Sequence, residues 1–254
     1  MKTSVRTKNG YGDFGALSEC YRTARKDFPN ECVSYILEKT GVAYPSILDI
    51  GCGTGIATMQ LREKGARVIG TDIDTAMIRQ AKINNKRHIP YLIAPAERQP
   101  FHNHFFDAVT AFSAFHWFAN KQTLDEIKRL LKPKGVFFAI NKNEVGDFKK
   151  DNKEILKRFI GLPIPDAKKG YKPKRFLTIN GFRDVTEQCF FTVEYFTIGV
   201  ALEYIQTMSV WNLVPTGKRT SALEALHSHL FSIAHSNNGT IERKIEVVVI
   251  SGTP

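Results

Sequence analysis

The strongest chemical signal in the chain is Ile47-Leu48-Asp49-Ile50-Gly51-Cys52-Gly53-Thr54-Gly55. An apolar run followed by closely spaced glycines reads as a strand that turns sharply into a helix and lets the backbone approach a ligand. The spacing narrows the ligand. A dinucleotide fingerprint needs G-x-G-x-x-G, whereas Gly51, Gly53 and Gly55 give G-x-G-x-G with Ile56 in the third glycine's place. No lysine follows the loop, which excludes a P-loop. Asp72 lies 21 residues after Gly51, at the end of Val68-Ile69-Gly70-Thr71-Asp72. An acid there is placed to accept both hydroxyls of a ribose. Capping the next helix is its alternative role, and Asp74 fits that better. His116 could take a proton from a hydroxyl or amine. Its neighbours Trp117 and Phe118 equally make the segment a hydrophobic wall. His102 and His104 form a pair without a third ligand nearby, so no metal site is expected.

These residues need a scaffold that places strand ends side by side. Residues 46–140 alternate short apolar runs with amphipathic stretches, the pattern of a parallel sheet with crossover helices. Strands are expected at 46–50, 66–71, 89–93, 106–112 and 135–140, the last entered through the turn Lys132-Pro133-Lys134-Gly135. Helices are expected at 30–39, capped by Asn30, then at 56–64, 74–84 with Asp74 as cap, and 120–131. Downstream, 141–175 is charged and carries Pro163, Pro165 and Pro173. A strand at 185–196, helices at 198–211 and 221–235, and a strand at 243–250 follow, with a turn at Asn237-Asn238-Gly239.

Taken together, D-I-G-C-G-T-G followed by G-T-D resembles the class I S-adenosyl-L-methionine (SAM) dependent methyltransferases. The likeness continues through Ala96-Glu97, Gln99-Pro100-Phe101, Phe105-Phe106-Asp107-Ala108-Val109 and Leu130-Leu131-Lys132-Pro133-Lys134-Gly135. Ser113 to Phe118 is similar to the A-x-H-W-F subgroup, near the trans-aconitate and ubiquinone/menaquinone methyltransferases. The resemblance covers roughly residues 20–140. It implies a doubly wound α/β fold: a mostly parallel, seven-stranded, Rossmann-like sheet with an N-terminal helical cover and a substrate-covering insertion. It also implies that Gly51, Cys52, Gly53 and Gly55 lie against the methionine part of SAM, with Asp49 fixing the loop. Asp72 would hold the ribose, Ile73 and Met77 would pack near the adenine, and Ala96 and Glu97 would follow its edge. Ala111 and Phe112 would complete the cofactor site. The family often has Asp before this alanine; here it is Pro95, so that adenine contact is missing or replaced. Tyr21 and Arg25 resemble a lead-in that closes over SAM, Arg25 near its carboxylate, although Lys26 and Phe28 depart from the pattern.

One methyltransferase domain is expected over 1–254. Its SAM-binding core would be 30–142, the substrate-covering insertion and C-terminal elements 143–240, and the final strand 241–254. Hydrophobic residues make up 43% of the chain and charged residues 24%, ordinary for a globular protein. No apolar run reaches membrane-spanning length, no signal peptide is visible, and four scattered cysteines form no C-x-x-C pair. A cytoplasmic location without membrane partners is expected. The net charge of +11 is unevenly spread: 141–175 hold 11 Lys/Arg against 5 Asp/Glu. A solvated surface, an anionic small-molecule acceptor or a nucleic acid could each account for that. The preferred reading is SAM-dependent methyl transfer to a small molecule by in-line displacement. RNA methylation and a non-catalytic SAM-binding partner protein are the alternatives. RNA is disfavoured, because no N-P-P-Y-type motif follows the fourth strand. Oligomeric state is not legible.

Overall fold

A computed structural model describes residue 21, residues 24–85 and residues 87–254. Cys20 and most of the expected N-terminal cover lie outside the described residues. The elements in chain order begin with α1 (Asn30–Lys39), β1 (Ser46–Ile50), α2 (Ile56–Glu63), β2 (Arg67–Asp72), α3 (Thr75–Ile83) and β3 (Tyr91–Ile93). Then come β4 (Phe106–Phe112), a 3-10 turn at Phe115–Trp117, α4 (Lys121–Leu130) and β5 (Leu131–Glu144). The chain finishes with α5 (Phe148–Lys157), α6 (Pro173–Ile179), β6 (Arg183–Phe196), α7 (Ile198–Gln206), α8 (Arg219–Ser236) and β7 (Ile241–Thr253).

The seven strands form one sheet in the order β3-β2-β1-β4-β5-β7-β6. β1 runs parallel to both β2 and β4, with Leu48 opposite Ile69 on one side and Val109 on the other. The chain therefore steps outward in opposite directions from β1, and ligands bind at the carboxyl ends beside such a switch point. This is the expected mostly parallel, Rossmann-like sheet with flanking helices.

Local chemistry accounts for the helix starts. Asp74 accepts from the backbone N–H of Ala76 and Met77, at 2.9 and 3.2 Å, and Asn120 accepts from that of Thr123 at 2.9 Å. Each side chain satisfies donors that the first helical turn leaves open. α1 departs from expectation. Pro29 is its N-cap and Asn30 its first helical residue, with no side-chain cap. The chain before it is already held by Gln60, which bonds both the N–H and the carbonyl of Phe28 at 2.9 Å.

Other boundaries also shift. β5 already pairs at Leu131, opposite Phe106, then jumps so that Ala108 faces Val136. The turn expected at 132–135 is therefore a bulge inside a longer strand. α7 ends at Gln206 rather than reaching Trp211, because Thr207 Oγ1 donates to the Tyr204 carbonyl at 2.6 Å and closes the last turn. The charged stretch 141–175 contains α5 and the start of α6, neither expected from sequence. In α5, Phe148, Ile155 and Leu156 form a buried stripe between charged residues, and Pro173 occupies the first position of α6.

Two compact units emerge. One comprises 27–142, 168–190 and 247–254; the other comprises the described residues up to 26, together with 143–167 and 191–246. The core of the first joins Leu48 and Ile50 of β1, Val109 and Ala111 of β4, Phe137 and Ala139 of β5, and Leu124 and Ile127 of α4. The core of the second joins Phe148, Leu156, Phe196, Ile205, Trp211, Leu226 and Leu230. At its centre Arg243 is almost fully buried. It donates to Glu144 at 2.7 Å, Glu194 at 2.6 Å and the Tyr204 hydroxyl at 2.5 Å.

Candidate active site

The glycine loop lies at the carboxyl end of β1. Gly51, Gly53 and Gly55 have φ of 71°, 55° and 82°, the left-handed region that only glycine enters freely. The backbone N–H groups of Gly51 and Cys52 both donate to the Thr71 carbonyl, at 2.7 and 3.0 Å, so the loop folds back onto the end of β2. Close packing surrounds two of the three glycines. A Cβ on Gly51 would stand 2.7 Å from that of Ala114, and one on Gly55 would stand 2.3 Å from the Tyr91 hydroxyl. Gly53 differs: nothing lies within 4 Å of its Cβ position.

Asp49 is completely buried and accepts hydroxyl hydrogen bonds from Thr58 of α2 at 2.6 Å and Thr110 of β4 at 3.0 Å. It thus pins the elements flanking the loop. Burial pushes its carboxyl up to about 7, against the lowering pull of the two threonines, with nearby Asp72 adding to the rise. Asp72 accepts the Gly53 N–H on Oδ2 and the Asp74 N–H on Oδ1, both at 2.9 Å. Each oxygen keeps further lone-pair capacity for a ligand hydroxyl. The structure thus makes Asp72 the post on which the loop hangs. Cys52 sits close to Gly70, and burial raises its thiol well above the usual range, so it stays protonated.

The remaining expected residues divide. Met77 is buried under α3, while Ile73 stands exposed at the end of β2. Ala96 is buried, and Glu97 accepts from the Asn120 side chain at 2.9 Å. Ala111 is wholly buried in the core; Phe112 packs edge-on against Phe28, centroids 4.8 Å apart. Tyr21 and Arg25 belong to the other unit. Arg25 there donates to Thr207 Oγ1 and carbonyl at 2.9 and 3.0 Å and to the Tyr204 hydroxyl at 3.0 Å, with its guanidinium 4.9 Å from the Tyr21 ring centroid. Its polar contacts therefore run within its own unit.

His116 lies in the 3-10 turn after β4, which Ala114 and Phe118 press against Gly51. Its ring lies 5.0 Å from Trp117 and 5.9 Å from Tyr171, centroid to centroid. Sequence reasoning missed Tyr171 and Asn141. Tyr171 sits in a stretch that reads as merely charged, and Asn141 ends an apolar strand run, so neither carries a motif. Asn141 is 5% exposed within β5, just past Ile140, whose carbonyl accepts from Ser113 N at 2.7 Å. Neither Asn141 Oδ1 nor the Tyr171 hydroxyl makes a well-aligned hydrogen bond, although both atoms are buried. Such a polar atom costs about 1–3 kcal/mol. Among the described residues, no group of three or more His, Cys, Asp or Glu is arranged to hold a metal ion. Nor is any described helix long and apolar enough to cross a membrane.

Comparison with known proteins agrees with this geometry. Residues 48–139 match the family described as "Methyltransferase domain". The chain is 25% identical over 220 residues to an uncharacterized methyltransferase of Schizosaccharomyces pombe, covering 84% of this chain and 83% of that protein. Several other curated methyltransferases align over shorter stretches, the chain spanning about half their length. A solved structure of a type II methyltransferase from Anaeromyxobacter dehalogenans superposes with a TM-score of 0.71 at 21% identity, over 90% of this chain and 97% of that one. A Haemonchus contortus phosphoethanolamine N-methyltransferase, solved with S-adenosylhomocysteine, superposes at 0.53 and 17% identity, over 98% of this chain and 58% of that one. Residues 48–139 match a methyltransferase domain, and the chain as a whole has the seven-stranded fold of the solved methyltransferases on which it superposes.

Proposed function

We propose that the chain binds SAM and transfers its methyl group to a small-molecule acceptor by in-line displacement, its two units acting as one catalytic domain. The observation that carries this reading is the tie between Asp72 and Gly53, because it joins the two strand ends that would hold a ribose and a methionine chain. The loop fits such a group. Its backbone is bare at Gly53, where a side chain would occupy the ligand's place, and closed by neighbours at Gly51 and Gly55. Gly51, Cys52 and Gly53 would hold the methionine part and Asp72 the ribose; Ile73, Met77, Ala96 and Glu97 would lie along the adenine, with Ala111 and Phe112 behind. When bound, SAM supplies a methyl group on a positively charged sulfur that departs neutral. The protein then needs to contribute alignment and exclusion of water, effects worth up to about 7–11 kcal/mol in favourable cases. His116, in the turn after β4, would take a proton from an acceptor that carries one. Its A-x-H-W-F setting favours the small-molecule subgroup.

The basic stretch supports an anionic small acceptor better than RNA, because part of its charge is neutralised locally. Lys150 pairs with Asp147 at 3.6 Å, and Lys157 pairs with Glu154. Calorimetry with SAM and with S-adenosylhomocysteine tests the reading, with one site per monomer expected. Absence of heat from both ligands on folded protein defeats it. Labelled methyl transfer into total RNA at physiological salt, with none into metabolites, would replace it with RNA methylation.

A further inference from the structure

The buried oxygens of Asn141 and Tyr171, two side chains that neighbour each other but make no well-aligned hydrogen bond, sit in the same unit as the glycine loop. Both adjoin the segment that packs on Gly51. Tyr171 places its ring 6.2 Å from Phe115 and 5.9 Å from His116, and Ser113 N and Oγ hold the backbone on either side of Asn141, at 2.7 and 3.3 Å. Lys142, the adjacent cation, donates to the Asp27 carbonyl at 2.9 Å and lies over the Phe28 ring. An amide oxygen can only accept, whereas a phenol both accepts and donates. A hydroxyl or an amine completes the pair, giving its proton to one oxygen and meeting the other as acceptor or donor. A carboxylate, which only accepts, would set its charge against the amide oxygen.

Building on the methyltransferase reading above, we infer that Asn141 and Tyr171 receive a hydroxyl or amine of the methyl acceptor, beside His116. In the transfer, the acceptor's lone pair forms the new bond to the methyl carbon as the carbon–sulfur bond returns its pair to sulfur. The acceptor's proton, directed at one of the two oxygens before transfer, is released to His116 as the new bond forms. Burial pushes the Tyr171 phenol up to about 12, with Asn141 pulling the other way, so the phenol keeps its proton at neutral pH and positions the acceptor without serving as the base. An anionic group elsewhere on the same molecule is compatible with this; an acceptor whose reacting group is a carboxylate is not.

The test incubates the full chain with SAM isotopically labelled on the methyl group and a fractionated metabolite extract, then identifies by NMR the atom to which the label is bound. Attachment to an ether oxygen or to nitrogen is expected. A methyl ester, released as methanol by mild alkali, or a new carbon–carbon bond would overturn the inference while leaving the methyltransferase reading intact. No transfer at all, with SAM bound in the calorimeter, would remove that reading and the inference with it. On the acceptor so found, Asn141→Leu and Tyr171→Phe should each lower kcat/KM about tenfold, the equivalent of one hydrogen bond, mainly through KM. SAM affinity should be unchanged, which also reports that the variants fold. Wild-type kinetics in both variants would count against the assignment.

Discussion

Asp72 Oδ2 accepts the Gly53 backbone N–H at 2.9 Å, so one carboxylate at the end of β2 holds the midpoint of a loop that begins at β1. The same carboxylate accepts the Asp74 N–H on its other oxygen, which places α3 as well. Removing it should therefore act through the loop as well as through any ligand contact. Asp72→Ala is expected to weaken SAM binding by about 1.5–3 kcal/mol, the worth of hydrogen bonds to a charged group. Calorimetry measures this directly, and an unchanged dissociation constant would reduce Asp72 to a residue that merely leads into α3.

Gly51→Ala and Gly53→Ala should separate stability from binding. Both force a side chain into left-handed backbone, at a cost of about 1–2 kcal/mol. Only at Gly51 does the new Cβ also meet Ala114 at 2.7 Å and the Phe118 ring at 3.0 Å. The melting temperature should fall further for Gly51→Ala. SAM affinity in Gly53→Ala should fall more than its modest loss of stability explains. Equal melting temperatures would mean that the contact at Gly51 relaxes without cost.

The buried Asp49 predicts a pH dependence. Its folded carboxyl titrates near 7 against an ordinary 3.8, so between those values the folded chain binds the proton that the unfolded chain has released. Stability contributed by this residue is therefore present below about pH 4 and is lost as pH rises towards 7. Asp49→Asn removes the titration. Relative to wild type it should gain stability as pH is raised from 5 to 8, read as the difference in melting temperature across that range. A difference that does not change with pH would show that Asp49 titrates normally.

Arg243 tests the second unit alone. It faces two carboxylates, and all three side chains are at least 94% buried. Arg243→Met leaves Glu144 and Glu194 with their negative charges buried and uncompensated, a loss of about 3–5 kcal/mol in denaturant unfolding. Replacing both glutamates by glutamine in the same variant should recover part of it. A single Arg243→Met variant as stable as wild type would mean that the carboxylates find water or another partner.

Much of this protein was legible in sequence because its signals are local. The positions of Gly51, Gly53 and Gly55, the cap Asp74, and the alternation of apolar and amphipathic runs each follow from a few adjacent residues. They led to the strand–loop–helix at β1, the acid at the end of β2 and the α/β class. The shift of the cap from Asn30 to Pro29 shows the limit even of local rules, since Gln60, 32 residues from the Phe28 it holds, helps decide how the chain enters α1.

Tertiary structure alone decided the pairings made at a distance. The order of strands around β1, the bulge opposite Phe106 and the burial that lifts Asp49 depend on contacts between segments tens of residues apart. So do the Arg243 cluster and the meeting of Asn141 with Tyr171 beside His116. A buried polar side chain carries the same letter as an exposed one. Its charge state and its need for a partner are set by the surrounding atoms, and those are assembled only when the sheet closes.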